Sequence, residues 1–270
     1  MISDILNPEV AGRLPATVWC MLFVLLCVLL AQLGLFIFEK FWHTRMAPVY
    51  NEVVGIMFSA IGLIYSLILA FVIIAVWDDY EDLNKTIAEE ADMLNGIMAH
   101  TTTLPDSMQL SIKTAMISYC RQVINDEWQM KGKDAPERPS AIPSLRLALL
   151  QIEPSGKREE AIYQVVDQDL SRISDLRRKR LSYVRSQIPA LVWFTLQTGS
   201  VVLIVFSYFL TMSSEWLKRI SLGFFSGYLA MCMFLIYTLD RPFSKEVQVS
   251  SQPYANVLMS LEQFYAVNLR

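Results

Sequence analysis

Residues Val53–Trp77 read VVGIMFSAIGLIYSLILAFVIIAVW, and Asp78–Asp92 directly after them read DDYEDLNKTIAEEAD. The first stretch holds 25 residues and no Asp, Glu, Lys or Arg. A helix needs about 20 apolar residues to cross a hydrocarbon core of roughly 30 Å. A soluble core helix of this length would show a charged outer face, and a barrel strand would alternate in steps of two. This stretch does neither and reads as a membrane span. Beyond Trp77, Leu83, Ile87, Ala91, Leu94 and Met98 follow at spacings of three and four, one stripe of a helix. No Pro or Gly falls between Ile64 and Asn95. The span is therefore expected to leave the membrane as one long helix.

Three further charge-free runs flank this one: Leu14–Phe38, Ser186–Ser214 and Ile220–Leu239, of 25, 29 and 20 residues. The fold expected is an all-α membrane protein with four transmembrane helices and a helical domain between spans two and three. The divisions are a transmembrane hairpin at 14–77, an inserted domain at 78–185, a second hairpin at 186–239 and a tail at 240–270. The first run is not a cleaved signal, because its flank holds Asp4, Glu9 and only Arg13, and it ends in Phe36, Ile37, Phe38 and Glu39. Trp19, Phe41, Trp42, Trp77, Trp193 and Trp216 near the span ends fit an interfacial belt. Near the membrane, the side holding the tails and the inserted domain offers ten basic residues and the opposite side four. That asymmetry places both termini and the domain in the cytoplasm. The net charge of −3 selects no partner beyond the lipid bilayer. Of the four cysteines, Cys20, Cys27 and Cys232 lie in spans and Cys120 is alone in the domain, so no disulfide framework is expected.

The inserted domain carries 15 of the 23 basic and 18 of the 26 acidic residues. Pro105 with Asp106 or Ser107 opens its next helix, whose face is read as Leu110, Thr114, Ile117, Arg121, Ile124 and Trp128. Lys131–Pro143 reads as a loop, Ser144–Ile152 as a short helix, and Lys157–Gln187 as the helix that leads to the third span at Pro189. In the tail, Tyr254, Leu258, Leu261 and Phe264/Tyr265 mark an amphipathic helix, expected to dock on the domain or on a neighbouring subunit.

Charge is segregated along this domain. Asp78, Asp79, Glu81, Asp82, Glu89, Glu90 and Asp92 leave span two with one base, Lys85. Arg172, Arg177, Arg178, Lys179, Arg180 and Arg185 lead to span three with one acid, Asp175. If both helices project side by side, residue 78 lies near 185 and residue 92 near 171. One reading is a salt-bridged antiparallel hairpin, in which exposed pairs of about 0–1 kcal/mol each set register. Another is a charged vestibule below a pore. A third brings Arg177–Arg180 to anionic headgroups.

Catalytic signatures are missing: no GxxxxGK[ST], GxGxxG, HExxH or CxxC occurs. His43 and His100 fall on opposite sides of the membrane and cannot share a metal. No enzyme activity, cofactor, metal site or nucleic-acid surface is expected. No span holds an ionisable residue of the kind proton-coupled transporters use. Gly223 and Gly227 in the fourth span form a GxxxG pair suited to close packing. In the second span, Gly55, Ser59, Gly62, Ser66 and Ala70 form a stripe of small residues, with Ser59, Leu63, Leu67 and Phe71 beside it. Ordinary bundle packing accounts for such a stripe. So does the crowding of several copies around an axis, with Leu and Phe forming a constriction that gates by dewetting.

Leu69-Ala70-Phe71 followed by Trp77-Asp78-Asp79-Tyr80-Glu81 resembles the pore helix of bestrophins where it leaves the membrane, and Asp240-Arg241-Pro242-Phe243 resembles the Pro-Phe motif after their last span. More closely, Val53–Pro253 resembles the bestrophin-like family of bacterial and plant membrane proteins. The residues that carry this are Glu90-Ala91, Tyr119, Glu127-Trp128, Arg177–Leu181, Ile188-Pro189 and Asp240–Phe243. The resemblance implies a homo-oligomer, a pentamer in bestrophins, that conducts inorganic ions, anions in that family, along span two. It puts Ser59, Leu63 and Leu67 at the pore neck, with Ser66 and Phe71 on the same lining. The neck departs from a Phe-dominated ring, and Ser-Lys-Glu-Val-Gln-Val after Phe243 is not a calcium-clasping acidic cluster. The function expected is an oligomeric passive ion channel. The alternative is a non-conducting scaffold or sensor that acts through the inserted domain.

Overall fold

The computed structural model describes residues 16–41, 48–102, 104–128, 142–150, 156–185, 187–212, 214–243 and 249–268. In chain order the helices are α1 (Ala16–Phe41), α2 (Pro48–Thr101), α3 (Asp106–Gln122), α4 (Ile142–Leu150), α5 (Lys157–Arg185), α6 (Ala190–Tyr208), α7 (Glu215–Leu239) and α8 (Gln252–Asn268). A π-helical turn, Val123–Glu127, extends α3. Among the described residues, four helices are long and apolar enough to cross a membrane: α1, the first part of α2, α6 and α7. The chain divides into two units, one ending at Asp78 and resuming over Gln187–Val247, the other comprising Asp79–Ser186 and the chain from Gln248 on. Helix α2 is unbroken over its 54 residues, about 80 Å at 1.5 Å per residue.

In the first unit Gly34, Gly199, Gly223 and Gly227 are close-approach sites. Gly227 on α7 faces Val24 and Val28 of α1, with a Cβ 3.4 Å from the nearest methyl, and Gly223 faces Gln32 and Val28. The Gln32 amide donates to the Arg219 carbonyl at 2.7 Å. Without a hydrophobic drive between helices in lipid, such close backbones and cross-helix hydrogen bonds supply the association. Gly34 on α1 lies against Tyr208, whose hydroxyl donates to the Ala31 carbonyl at 2.9 Å. The α2–α6 contact is built the same way around Tyr65, Leu69, Leu196 and Leu203, all buried.

Two side chains fasten this unit's connections. Asn51 exchanges two hydrogen bonds with the backbone of Thr211, at 3.1 and 2.9 Å. Asp240 accepts from the Ile188 backbone N–H at 2.7 Å and from the Trp193 indole at 3.4 Å. Two of the motifs behind the family resemblance, Ile188-Pro189 and Asp240–Phe243, thus meet in one contact. Trp193 joins this packing and is half-buried, whereas Phe41 and Trp216 are exposed.

The boundaries move in four places. The third span is shorter than its charge-free run: α6 holds 19 residues, because Pro189 has extended backbone (ψ 141°) and the helix stops before Phe209. The fourth starts earlier, at Glu215, since an acid in the first turn faces the positive end of the helix dipole. Helix α4 begins at Ile142, two residues before the expected Ser144, with Pro143 in a first turn that needs no N–H. Helix α5 ends at Arg185, two residues before the expected Gln187. The bulk of the expected loop at Lys131–Pro143, and the leader residues with Asp4, Glu9 and Arg13, lie outside the described residues.

Candidate pore helix and buried charge cluster

The membrane part of α2 has two faces. Phe58, Ile61, Tyr65, Leu69, Val72 and Ile73 pack into the first unit. The opposite arc is exposed and includes all five expected pore-lining residues, Ser59, Leu63, Ser66, Leu67 and Phe71. Leu63 is 72% exposed, Leu67 57% and Phe71 64%. Four residues advance a helix by slightly more than one turn, so Ser59-Leu63-Leu67-Phe71 forms one inclined ridge. A helix tilted against that inclination keeps the whole ridge facing a fixed axis. The Ser59 hydroxyl donates to the Gly55 carbonyl at 2.9 Å and the Ser66 hydroxyl to Leu63 at 2.8 Å, which satisfies both donors within the helix. Of the small-residue stripe, Gly62 touches α6 through Leu203, while a Cβ at Gly55 would meet nothing within 4 Å.

The second unit is organised around a cluster of buried charges. Most of the α2 stripe holds: Leu83, Ile87, Ala91 and Leu94 are buried, but at its end Ile97 is buried and the expected Met98 only half-buried. The α3 face does not. Leu110, Thr114 and Arg121 are exposed, and the core side is Ile112, Lys113, Met116, Tyr119, Cys120, Val123 and Glu127. The true face is turned by about one residue, roughly 100°. At its end, the π-helical turn bonds the Trp128 N–H to the Val123 carbonyl at 3.0 Å. The extra residue in that turn brings both Glu127 and Trp128 into the core.

Arg180 of α5 is completely buried between two carboxylates. Its Nε donates to Glu90 at 3.0 Å, and its Nη2 donates to Glu127 at 2.7 Å. Arg177 donates to Glu127 through Nε and Nη2, at 2.9 and 2.7 Å. The Tyr119 hydroxyl donates to Glu90. The guanidinium carbon of Arg180 lies 5.5 Å from the rings of both Trp128 and Tyr254. Two arginines and two carboxylates balance, which is the condition for keeping charges in a dry interior. Tyr254 brings in helix α8, and the Trp128 indole donates to the Val249 carbonyl at 2.8 Å. The C-terminal segment therefore docks on this unit of its own chain.

The remaining residues of the charged segments lie outside this cluster. Asp78, Asp79, Glu81, Asp82, Glu89 and Asp92 are exposed, as are Arg178 and Lys179. Glu81 pairs with Lys85 and Arg178 with Asp175, each within its own helix. Between α2 and α5 the ion pair among the described residues is Glu90–Arg180, which sets residue 90 beside 180, where a register of 78 near 185 would set it beside 173. The Arg185 side chain and His43 lie outside the described residues, and His100 is exposed at the end of α2.

The cluster gives the second unit a pH window. Burial raises the Glu127 carboxyl, but Arg180 and Arg177 outweigh it and hold the group below its ordinary 4.5. A lowered acid contributes stability above its unfolded value and loses it as pH falls through the folded one. Burial, with the Glu90 charge, pushes the Cys120 thiol from its ordinary 9.0 to about 12, and burial raises Tyr119 and Tyr254 above 10.0. These groups stay protonated in the folded state, so stability falls from pH 9 upward, by on the order of 4 kcal/mol at pH 12 from the thiol alone. Thermal melts of the purified protein followed by tryptophan fluorescence are expected to be flat between about pH 5 and 9 and to fall on both sides. A Cys120→Ala variant should lose much of the alkaline slope.

The fold and these two features define a class: a four-span helical membrane protein whose second span continues into a polar helical unit. The chain belongs to the bestrophin-like family, whose domain model matches residues 22–254. Two crystal structures of point variants of a bacterial bestrophin homologue from Klebsiella pneumoniae share the fold. One matches with a TM-score of 0.66 and 14% identity over 90% of this chain and 98% of that one. The other matches with a TM-score of 0.64 and 15% identity over 90% and 97%. A crystal structure described only as a membrane protein matches with a TM-score of 0.67 and 14% identity. No curated protein matches the sequence. Glu90, Tyr119, Glu127-Trp128, Arg177 and Arg180, all within the motifs that carried the family resemblance, are members of the buried cluster.

Proposed function

We propose that the protein is an oligomeric, passive ion channel and not an enzyme, with α2 from each subunit lining the pore. It lies in a bacterial inner membrane with both termini and the second unit cytoplasmic, and the family resemblance favours five copies. The observation that carries this is the exposed ridge Ser59-Leu63-Leu67-Phe71, a hydroxyl followed by three large apolar side chains on the α2 face that its own unit leaves uncovered. Around an axis, such rings form a hydrophobic constriction that controls wetting. Membership of the bestrophin-like family supports the same reading. The exposed acids where α2 leaves its membrane stretch (Asp78, Asp79, Glu81 and Asp82) would favour cations there, against the anion preference of bestrophins. The reversal potential in a salt gradient therefore decides selectivity.

The test is ion flux from liposomes holding the purified protein. Wild type should conduct, and Leu67→Ser, which makes a ring of the constriction polar, should raise flux several-fold. No flux from either protein under any salt or pH would sink the proposal. The second reading, a non-conducting scaffold, draws on Leu147 and Leu150 of α4, each 60% exposed on the polar unit. It predicts a monomer or dimer without a central axis, together with a partner whose binding is lost on Leu147→Glu.

A further inference from the structure

The first unit contains a cavity of about 180 Å³ that channel activity does not use. All four spans contribute to its wall, including Leu35 of α1, Phe58 of α2, Tyr208 of α6, and Lys218, Leu222 and Phe225 of α7. It lies toward the end of the spans remote from Asp78, where α1 stops, α2 begins and Asn51 is tied to Thr211. We propose that it holds an acyl-chain segment of one phospholipid per subunit, with a zwitterionic phosphoethanolamine headgroup seated at the Lys218–Glu39 pair. The cavity is half open and its lining is mainly apolar, so water finds few partners along most of it and an apolar chain finds many. The solvent around these helices is hydrocarbon, so a lipid chain fills the void without dehydration and restores the contacts an empty wall lacks.

Charge selects the headgroup. The Lys218 ammonium, on the cavity wall, lies 3.1 Å from the Glu39 carboxylate, and both are partly exposed, at 16% and 31%. Around that end of the spans the sequence sets Lys40, Arg45, Lys218 and Arg219 against Glu39, Glu52 and Glu215. A field this close to neutral gives an anionic headgroup little advantage. A headgroup with one phosphate and one ammonium meets both members of the pair, phosphate to Lys218 and ammonium to Glu39.

The experiment is native mass spectrometry of the delipidated protein after addition of phosphatidylethanolamine or phosphatidylglycerol. Wild type should retain one phosphatidylethanolamine per subunit and retain phosphatidylglycerol at least several-fold less. Ser221→Trp, which fills the cavity from its wall, should abolish that retention, and Lys218→Gln should weaken it about tenfold. Lys218→Gln leaves the apolar wall of the cavity in place, so it reads binding even if Ser221→Trp fails to fold. Equal retention by wild type and Lys218→Gln would show annular lipid only and overturn the proposal. Preference for phosphatidylglycerol, or dissociation of the oligomer in Ser221→Trp with no lipid on wild type, would also overturn it. None of these readouts depends on conductance.

Discussion

Arg180→Met should destabilise the second unit by about 3–5 kcal/mol, the largest single-residue effect expected in this protein. The methionine fits the space and its dispersion contacts with Trp128 and Tyr254, so packing is not what is lost. What is lost is the cation that two buried carboxylates share. Glu127 keeps Arg177, but Glu90 keeps no cation among the described ion pairs, with the neutral Tyr119 hydroxyl still donating to it. An uncompensated buried carboxylate then protonates or pulls the helices apart. The check is a denaturant melt of purified protein followed by the fluorescence of Trp128, whose ring lies 5.5 Å from that of Tyr254. The double variant Arg180→Met with Glu90→Leu should recover a large part of the loss, because it removes the orphaned charge as well. Additive losses would mean that the two groups do not act as a pair. Glu81→Gln, which breaks an exposed i,i+4 pair, should change stability by no more than about 0.5 kcal/mol.

Gly199→Val should be the most damaging substitution inside the membrane unit. A Cβ there would lie 2.5 Å from two atoms of the Tyr65 ring, well inside contact distance. The ring cannot swing clear cheaply, because its hydroxyl is tied to the Leu196 carbonyl at 3.0 Å and to the Ser200 hydroxyl at 2.6 Å. Overpacking of this kind costs about 1–3 kcal/mol, and here it separates α2 from α6 and displaces the exposed ridge as well. A lower melting temperature in detergent and less folded protein should result. Tyr65→Leu on the same background removes the clash and should restore much of the stability. If Gly199→Val melts like wild type, the close α2–α6 approach is not there.

The spans were legible because charge exclusion over 20 residues is a local signal that needs no tertiary knowledge. The continuity of α2 was legible for the same reason: an apolar stripe with no breaker is written in consecutive residues. The cluster was not. Glu90 stands among six other acids and Arg180 among five other bases, and only the phase of each helix separates the buried one from its solvated neighbours. The phase of α3 was read one residue off, because Lys113 and Glu127 count as polar against the face that is buried. The π-helical turn, which lets Glu127 and Trp128 both point inward, has no sequence signature of its own. The motifs that revealed the family were visible as words long before their meeting point could be read. The pore ridge is a different case. Its exposure in one subunit follows from which residues pack inward, and what it faces depends on other copies of the chain.

Cysteine accessibility along α2 tests the central reading most directly. In a background with Cys20, Cys27, Cys120 and Cys232 replaced, Leu63→Cys and Leu67→Cys are placed on the ridge and Phe224→Cys on the exposed face of α7. With ion flux from liposomes as the readout, a charged methanethiosulfonate reagent should block Leu63→Cys and Leu67→Cys and leave Phe224→Cys conducting. Block at Phe224→Cys with none at the two ridge positions would contradict α2 as the pore helix.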